Sequence, residues 1–555
     1  MFVEESIPAN PISSSRALQQ HIFSLVQSCN TLKNLQQIHA QIVTNGFTQK
    51  NYILVKILSF YVASGNLEHA LRVFEGINNP SATVWNQIIR GHARSGTPRK
   101  SVDLYKKMVA AEAEPDGFTY SFLLSACARA GLLREGEQVH GRVLANGYCS
   151  NVFVQTNLVN LYSVGGANNV GYARSLFEEM GERSVVSWNS LLAGYIRCGD
   201  IDGARRIFDD MPERNVVSWT TMISGCAHDG RCKQALSLFG EMRRAHVEVD
   251  QVALVSVLSA CAELGDLKLG RWIHWYIEER MNPRNQPLLV SLNNALIHMY
   301  ASCGIIDEAH KVFNIMPSKS TVSWTSIITG FAKQGRGVEA LGIFRSMLSS
   351  GGNQVRPDEI TFIGVLCACS HAGLVTEGRQ FFEGMNQTWG VKPRIEHYGC
   401  MIDLLSRAGF LDEACRLIGT MPIRPNDTIW GALLGGCRIH KNVELASHVA
   451  KKLAVELDPK QAAGYLVLLS NVYAAAKRWQ DAVTVRRKIV ELGVRKPPGR
   501  SWVQVNAVVH EFVAGDRSHK HAPLIYKMLG ELMRQARQDG YTLDVVEAFL
   551  NAEEQ

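Results

Sequence analysis

The stretch VVSWNSLLAGYIRCGDIDGARRIFDDMPERN, residues 185–215, decides the fold of this chain. Its first half carries apolar side chains three or four positions apart, from Trp188 to Tyr195, which is the spacing of one face of an α-helix. Gly199 interrupts this pattern, and a second apolar stripe follows and ends at Pro212. The stretch therefore predicts two short helices joined by a turn.

Similar stretches recur along the chain and define a repeat. The next one, VVSWTTMISGCAHDGRCKQALSLFGEMRRAHVEVD, follows at once as residues 216–250, and related stretches begin at Ala82 and Thr321. One hairpin of this size cannot bury two apolar stripes, so neighbouring hairpins must stack and share a core. Read outward from these stretches, the sequence divides into units at 15–50, 51–81, 82–116, 117–151, 152–184, 185–215, 216–250, 251–289, 290–320, 321–358, 359–394 and 395–426.

Length, charge and cysteine usage limit the class of protein. A chain of 555 residues is too long for one compact core, which agrees with an extended array. A net charge of +7 is mildly basic and compatible with an anionic partner. The 13 cysteines include no C-x-x-C pair, which argues against a disulfide framework and a structural zinc site. Several recur in equivalent places, as in the SACA stretches 125–128 and 259–262, and we interpret them as small buried filler.

The N-terminal segment 1–14 carries no clear targeting signal, and we expect it to be disordered. It has no apolar core of the kind that a secretory signal needs, and Glu4 and Glu5 make it a poor organelle transit peptide. No apolar run is long enough to cross a membrane, so we expect no membrane contact.

Polar side chains recur in one register at the fifth and the last position of the units. An amide or a hydroxyl can donate to and accept from the edge of a nucleobase, so these pairs are candidate base-reading residues. The alternative for any one of them is a residue that only bonds the backbone at a helix start. The pairs are Asn86 with Asp116, Thr156 with Ser184, Asn189 with Asn215, Thr220 with Asp250, Asn294 with Ser320, and Thr325 with Asp358.

This pattern resembles the plant pentatricopeptide repeat family, in the subclass that alternates long, short and standard units. The stretch IEHYGCMIDLLSRAGFLDEACRLIGTMPIRPN, residues 395–426, is similar to the family's last short repeat. Residues 427–495 resemble two E-type repeats, and residues 496–555 resemble the E+ extension and tail. The resemblance implies an all-α, right-handed superhelical solenoid of stacked helix–turn–helix repeats that binds single-stranded RNA.

The family's pairing rule implies a base for several units, with the N-terminus of the chain toward the 5′ end of the RNA. It implies U at 82–116, weakly A at 152–184, C or U at 185–215, G at 216–250, C at 290–320 and G at 321–358. The unreadable units have Val55, Ser121, Val255, Ile363 and Gly399 at the fifth position. An apolar or branched residue three positions earlier, as at Thr83, Val186, Val217 and Val322, is expected to wedge between bases.

The resemblance also implies a role in cytidine-to-uridine editing of organelle RNA, in a mitochondrion or a chloroplast. Zinc deaminases need H-x-E followed by P-C-x-x-C, and the second motif is absent from the sequence. We therefore expect no catalytic residues, metal or cofactor of its own, and a deaminase recruited in trans through the E-type repeats and extension. Splicing, stabilisation or processing of organelle RNA is the first alternative. A tetratricopeptide-like protein scaffold is an alternative of another class, since the core residues suit both kinds of repeat.

Overall fold

A computed structural model describes residues 11–281, 289–350, 355–456, 459–491, 500–505, 508–513 and 517–540 of the chain. Residues 1–10 of the predicted N-terminal segment and residues 541–555 of the predicted tail lie outside the described residues. The chain forms two compact units, Met1–Val257 and Leu258–Gln555, and the boundary falls within one helix. Each unit is described by itself.

The first unit is a stack of helical hairpins. Its first helix already includes residues 11–14, which we expected to belong to the disordered N-terminal segment. The helices are α1 Pro11–Ser28, α2 Leu32–Thr44, α3 Asn51–Ala63, α4 Leu67–Glu75, α5 Ala82–Arg94, α6 Arg99–Ala110, α7 Gly117–Ala130, α8 Leu133–Ala145, α9 Val152–Val164, α10 Val170–Glu179, α11 Val185–Arg197, α12 Ile201–Asp210, α13 Val216–His228, α14 Cys232–Arg244 and the start of α15 Gln251–Leu264. The prediction of stacked helix–turn–helix repeats is confirmed.

The second unit continues the same alternation of first and second helices. A π-helical turn, Ile277–Met281, extends the first of its complete helices, α16. The helices are α16 Leu267–Tyr276, α17 Val290–Ser302, α18 Ile306–Ile315, α19 Thr321–Lys333, α20 Gly337–Ser349, α21 Glu359–Ala372, α22 Val375–Gln387, α23 Ile395–Arg407, α24 Leu411–Thr420, α25 Asp427–Ile439, α26 Val443–Glu456, α27 Pro459–Ala475, α28 Trp479–Glu491 and α29 Ala522–Gln538.

The C-terminal extension adds a small sheet to this helical architecture. Strands β1 (Arg500–Val505) and β2 (Val508–Val513) pair antiparallel, with Arg500 opposite Val513. Their sequences, RSWVQV and VVHEFV, are rich in β-branched and aromatic residues, which favour strands. The resemblance of this stretch to a family extension gave no secondary structure, so the hairpin was not predicted.

An edge-to-face contact between two aromatic rings joins one hairpin to the next at four of the junctions between described repeats. In each case a Phe of the second helix meets the Trp of the following first helix, with centroids 4.6–4.9 Å apart and planes inclined by 70–75°. Such contacts stabilise beyond the area they bury, by about 1 kcal/mol each. The pairs are Phe74–Trp85, Phe177–Trp188, Phe208–Trp219 and Phe313–Trp324.

The exit turn of a short repeat is fastened to the same Phe by a basic side chain. The guanidinium of Arg214 lies 4.9 Å from the ring centroid of Phe208, and its Nε donates to the carbonyl oxygen of that residue at 2.8 Å. Arg183 makes the same two contacts with Phe177. The cation therefore caps the ring and satisfies a carbonyl near the end of the helix.

From α4 to α24, a small side chain occupies one position of each second helix, where it packs closely against the next hairpin. In the long repeats this residue is glycine: a Cβ at Gly136 would lie 2.5 Å from the Leu161 side chain of the next first helix, and one at Gly378 would overlap Leu404. The equivalent buried residues are Ala70, Ser101, Gly136, Ala173, Ala204, Ala235, Gly270, Ala309, Ala340, Gly378 and Ala414.

The cysteines are reduced and serve the same packing. All 13 are free, and the equivalent Cys127, Cys261 and Cys369 of the long repeats are fully buried. Burial raises the pKa of Cys127 to about 12, so this thiol stays neutral. The interpretation of these cysteines as buried filler is confirmed.

Replacing Ala235 by Val tests the close approach of the hairpins. Ala235 is completely buried on α14, so the added methyl groups overpack the core, and we expect a loss of about 1–3 kcal/mol in the free energy of unfolding. The matched control is Gln234→Val, which makes a β-branched residue at an exposed site of the same helix and costs about 0.5 kcal/mol. Urea unfolding followed by far-UV circular dichroism measures both, and equal midpoints would contradict the packing argument.

Candidate nucleic-acid interface

The last residue of each predicted pair caps the first helix of the following repeat. Its side chain accepts a hydrogen bond from the third backbone N–H of that helix, which supplies one of the partners that a helix start lacks. Reciprocal capping boxes form at Asp116, Asn215, Ser320 and Asp358, where the third helical residue is Thr or Ser. The capping residues are Asp116, Ser184, Asn215, Asp250, Ser320 and Asp358.

In the repeat 82–116 the fifth residue bonds directly to this cap. The amide nitrogen Nδ2 of Asn86 donates to Oδ1 of Asp116 at 2.9 Å. The hydroxyl of Thr119 donates to Oδ1 of Asn86 at 2.7 Å, so both ends of the Asn86 amide are fixed. Asn86 is only 4% exposed. The two residues that the sequence pairs are therefore in direct contact.

The two Thr–Asp pairs differ in how they are connected. Thr220 donates directly to Oδ1 of Asp250 at 2.9 Å. Thr325 instead contacts the hydroxyl of Thr361 at 2.8 Å, and Thr361 donates to Oδ1 of Asp358 at 2.8 Å. In the described part of the chain the Asp250 bonds, including the one from the backbone of Ala253, fall on Oδ1, which leaves Oδ2 able to accept from a ligand.

Two asparagines at the fifth position hold a buried acceptor without a partner. Nδ2 of Asn189 donates to Asn215 at 3.2 Å, and Nδ2 of Asn294 donates to Ser320 at 3.4 Å. Oδ1 of each asparagine is buried and accepts no hydrogen bond within the residues described. A buried polar atom that lacks a partner costs free energy, so a donor supplied by a ligand would stabilise this arrangement.

The remaining predicted pair does not form. The Thr156 hydroxyl donates to the carbonyl oxygen of Val152 within its own helix at 2.8 Å. Ser184 accepts from the backbone of Ser187 as a cap, and the two predicted partners share no hydrogen bond. For this pair the backbone-bonding alternative describes the structure, so its assignment to adenine has no geometric support.

Apolar side chains stand exposed at the second position of the repeats, beside the polar pairs. Val186, Val217 and Val322 are 54–62% exposed, as a residue that wedges between bases must be. The long repeats carry equivalent side chains that sequence reasoning missed. They are Phe118, Val252 and Ile360, and Phe153 occupies the same position in 152–184.

Basic side chains recur at the thirteenth position, near the C-terminal end of the first helices. Arg94, Arg197, Lys333 and Arg407 are exposed there, whereas Arg129 donates to the carbonyl oxygen of Ala93 at 2.6 Å. This row was not predicted from the sequence, although the thirteenth residues of successive repeats, read side by side, would have revealed it. Cations in such a row attract phosphates without regard to sequence.

The second unit shows how these positions combine. Thr325, Val322 and Lys333 of one first helix line a cavity of about 340 Å³ together with Asp358. The cavity thus places a polar pair, an apolar wall and a cation around one opening. A nucleotide is complementary to this arrangement, because its base has a polar edge and an apolar face and its phosphate is negatively charged.

The described residues contain no cluster of three or more His, Cys, Asp or Glu side chains placed to hold a metal ion. His510 and His519 of the extension lie close together, with Nδ1 and Nε2 2.8 Å apart, and burial together with neighbouring cationic groups lowers the pKa of His519. Among the described helices none is both long enough and apolar enough to span a bilayer.

Comparison with family models identifies the repeats. A model described as the PPR repeat family matches residues 80–129, 183–216 and 214–263. A second model, described as the PPR repeat, matches residues 118–151, 294–320, 322–352 and 396–424. A model described as the E motif matches residues 440–504.

The chain is similar over nearly its whole length to pentatricopeptide repeat-containing proteins of Arabidopsis thaliana. One is 42% identical over 98% of this chain and 87% of its own length, and another is 40% identical over 98% and 86%. A third, whose name includes the words chloroplastic/mitochondrial, is 36% identical over 97% and 81%. The crystal structure of the pentatricopeptide repeat protein PPR10 from maize is 16% identical, with a TM-score of 0.46, and covers 99% of this chain and 95% of its own.

Substitutions of Asp250 test its capping role. Asp250→Ala removes the acceptor for Ala253 N–H and Thr220, and we expect a loss of about 1 kcal/mol in the free energy of unfolding. Asp250→Asn keeps an acceptor oxygen, so we expect it to lower the free energy of unfolding by only a few tenths of a kcal/mol. Denaturant unfolding of both variants measures the difference, and an Ala variant as stable as the Asn variant would show that the cap contributes nothing.

Proposed function

The chain belongs to the pentatricopeptide repeat family, and we propose that it binds single-stranded RNA in a sequence-specific way, one base to a repeat. Each base would contact the fifth residue of one repeat and the cap of the next first helix. The exposed apolar residue at the second position would separate neighbouring bases, and the cation at the thirteenth would attract the phosphate.

The observation that carries this proposal is the recurrent contact between a fifth residue and the following cap. Side chains that are far apart in sequence meet in four pairs at 2.9–3.4 Å, and in two of them a buried amide oxygen still lacks a donor. If the last residue of a repeat served only as a helix cap, the fifth position would not need a polar residue. A repeated, partly unsatisfied polar pair beside exposed apolar groups suits ligands that present an edge of donors and acceptors, as bases do.

The pairing rule of the family gives this interface a preferred RNA. Read from the 5′ end, with N for unreadable repeats and Y for C or U, repeats 82–116 to 395–426 specify U-N-A-Y-G-N-C-G-N-N. The adenine is the weakest member because Thr156 and Ser184 do not meet. The strongest assignments are the two guanines and the uracil. The guanines follow from Thr220 with Asp250 and from Thr325 with Asp358, and the uracil follows from Asn86 with Asp116.

We further propose that the chain acts as a site-recognition factor in cytidine-to-uridine editing of organelle RNA, in a mitochondrion or a chloroplast. The E motif at 440–504 supports this finer assignment. So do the names of relatives that include the words chloroplastic or mitochondrial. The deaminase would be recruited in trans, and the E-type repeats and the extension would contact it.

Two other functions compete with editing. Splicing, stabilisation or processing of organelle RNA would use the same interface, so only a cellular readout separates them from editing. A protein scaffold would instead bind an extended peptide, and it would show no preference among bases. The row of exposed cations at Arg94, Arg197, Lys333 and Arg407 favours RNA, because a polyanion matches it better than a neutral peptide does.

A substitution of Thr220 tests base reading directly. Thr220→Asn places an amide beside Asp250, as Asn86 stands beside Asp116, and should change the preferred base at this repeat from G to U. With an oligonucleotide of the sequence above, we expect about a tenfold change in the ratio of the two dissociation constants. Ser237→Asn, at an exposed site on the second helix of the same repeat, is the control and should leave the ratio unchanged.

Fluorescence anisotropy titrations at fixed salt give these dissociation constants, and salt must be fixed because phosphate contacts dominate the total affinity. Binding that ignores the base at this position in both proteins would contradict base reading. The absence of any binding to single-stranded RNA would contradict the proposed function as a whole and favour the scaffold.

Editing is tested in a plant line that lacks the gene. We expect at least one organelle cytidine to stay unedited, a short fixed distance downstream of a sequence that matches the specified bases. Sequencing of mitochondrial and chloroplast transcripts measures this, and restoration by the intact gene is the control. Complete editing in the mutant line, together with unspliced or unstable transcripts, would replace editing by the processing alternative.

A further inference from the structure

We propose that the cavity at the last short repeat, residues 395–426, binds a guanine base through the carboxylate of Asp403. This inference rests on the proposed RNA binding and extends it to a repeat that the pairing rule leaves unreadable, because the fifth residue is Gly399.

The cavity is larger than the one at Thr325, and the fifth residue that lines it has no side chain. It has a volume of about 650 Å³, compared with about 340 Å³ for the cavity at Thr325 in the same unit. Gly399 lines it where Thr325 lines the other, and Asn426, the last residue of the repeat, also lines it. The opening therefore occupies the place of a base-reading pair but has room for a bulkier base.

The chemistry of the lining differs from that of the neighbouring cavity. Asp403 and Glu396 line the large cavity, and no Lys or Arg does, whereas Lys333 lines the cavity at Thr325. Cys367 and Cys400 stay neutral, since burial raises the pKa of both thiols. The carboxylates of this lining accept hydrogen bonds, which favours an occupant that presents donors.

Asp403 is unusual at its position in the repeat. It is the ninth residue of the unit, and the ninth residue of the other units from 82–116 onward is neutral or basic. These residues are Arg90, Ser125, Asn160, Ala193, Ser224, Ser259, His298, Thr329 and Cys367.

The carboxylate is held in place by two donors. The Ser370 hydroxyl donates to Oδ2 at 2.6 Å, and Nε of Arg407 lies 2.9 Å from Oδ1 and 2.8 Å from Oδ2. An ionised carboxylate has about four acceptor sites, so Oδ1 can accept further. A fixed acceptor of this kind selects a base edge that presents donors.

An aromatic wall completes the site. The Tyr465 ring lies over Gly431, where a Cβ would be only 2.8 Å from Cε1, and its hydroxyl donates to Oδ2 of Asp427 at 3.3 Å. Tyr465 lines the cavity, and a base can stack on an aromatic face. Guanine presents two adjacent donors, its imino and amino groups, on one edge, whereas uracil presents one donor between two acceptors. Guanine therefore suits this cavity best.

The test uses the full chain and an RNA of the specified sequence whose last base, opposite the repeat 395–426, is G, A, C or U. We expect G to bind about ten times more tightly than U at this position. Asp403→Asn, which replaces an acceptor by a donor, should abolish the preference. Circular dichroism verifies that this variant folds, and the ratio between bases is the readout, since a purely structural role would change the affinity for all four bases alike.

Filling the cavity gives a second, independent variant. A Cβ at Gly399 meets no atom within 4 Å, so Gly399→Leu can fold and should remove the preference for G. Gly419→Leu is the matched control, because Gly419 is exposed on α24, also has no atom within 4 Å of a Cβ, and lies outside the cavity.

Failure of the guanine site and failure of the proposed function give different results. If the RNA binds with the expected preferences at the Thr220 and Thr325 repeats but equally with all four last bases, or prefers another base there, the guanine site is overturned and the proposed function stands. If the RNA does not bind at all, the proposed function fails and the guanine site fails with it.

Discussion

The structure depends on the close approach between the second helix of one hairpin and the first helix of the next. Only a small residue fits at the contact, as at Ala204 and Gly136, and a Phe–Trp contact such as Phe208–Trp219 fixes the angle at which the helices meet after a short repeat. A hairpin alone exposes an apolar stripe, so its neighbour supplies most of the free energy that keeps it folded. The position of each first helix is therefore set by the repeat before it.

This constraint explains why caps and fifth residues meet. Because the hairpins stack at a fixed spacing, the start of each first helix lies beside the first turns of the preceding one. A residue such as Asp116 or Asp250 then serves two purposes, since one carboxylate oxygen caps a helix while it also bonds the fifth residue of the preceding repeat. The oxygen that caps a helix thus also fixes the fifth side chain of the preceding repeat, and folding preorganises this polar pair.

Much of this architecture could be predicted from the sequence, because apolar periodicity and turn residues report directly on helices. The repeat starting at Ala82 begins with helix α5 at the same residue, because the apolar spacing of the helix begins there. The sheet of residues 500–513 was not predicted, because it lies outside the periodic pattern. The failure of Thr156 to reach Ser184 could not be foreseen either, since a hydroxyl can bond its own helix as well as a neighbour.

The contacts also show that the same two amino acids at the fifth and last positions do not always have the same chemical environment. Thr220 with Asp250 and Thr325 with Asp358 are the same pair in sequence, yet the first bonds directly and the second through Thr361. The difference comes from the third residue of the following first helix, which is Ala253 in one case and Thr361 in the other. In the second pair the hydroxyl of Thr361 lies between Thr325 and Oδ1 of Asp358. The hydrogen bonding of such a pair is therefore a property of three residues, and the third lies in the next repeat along the chain.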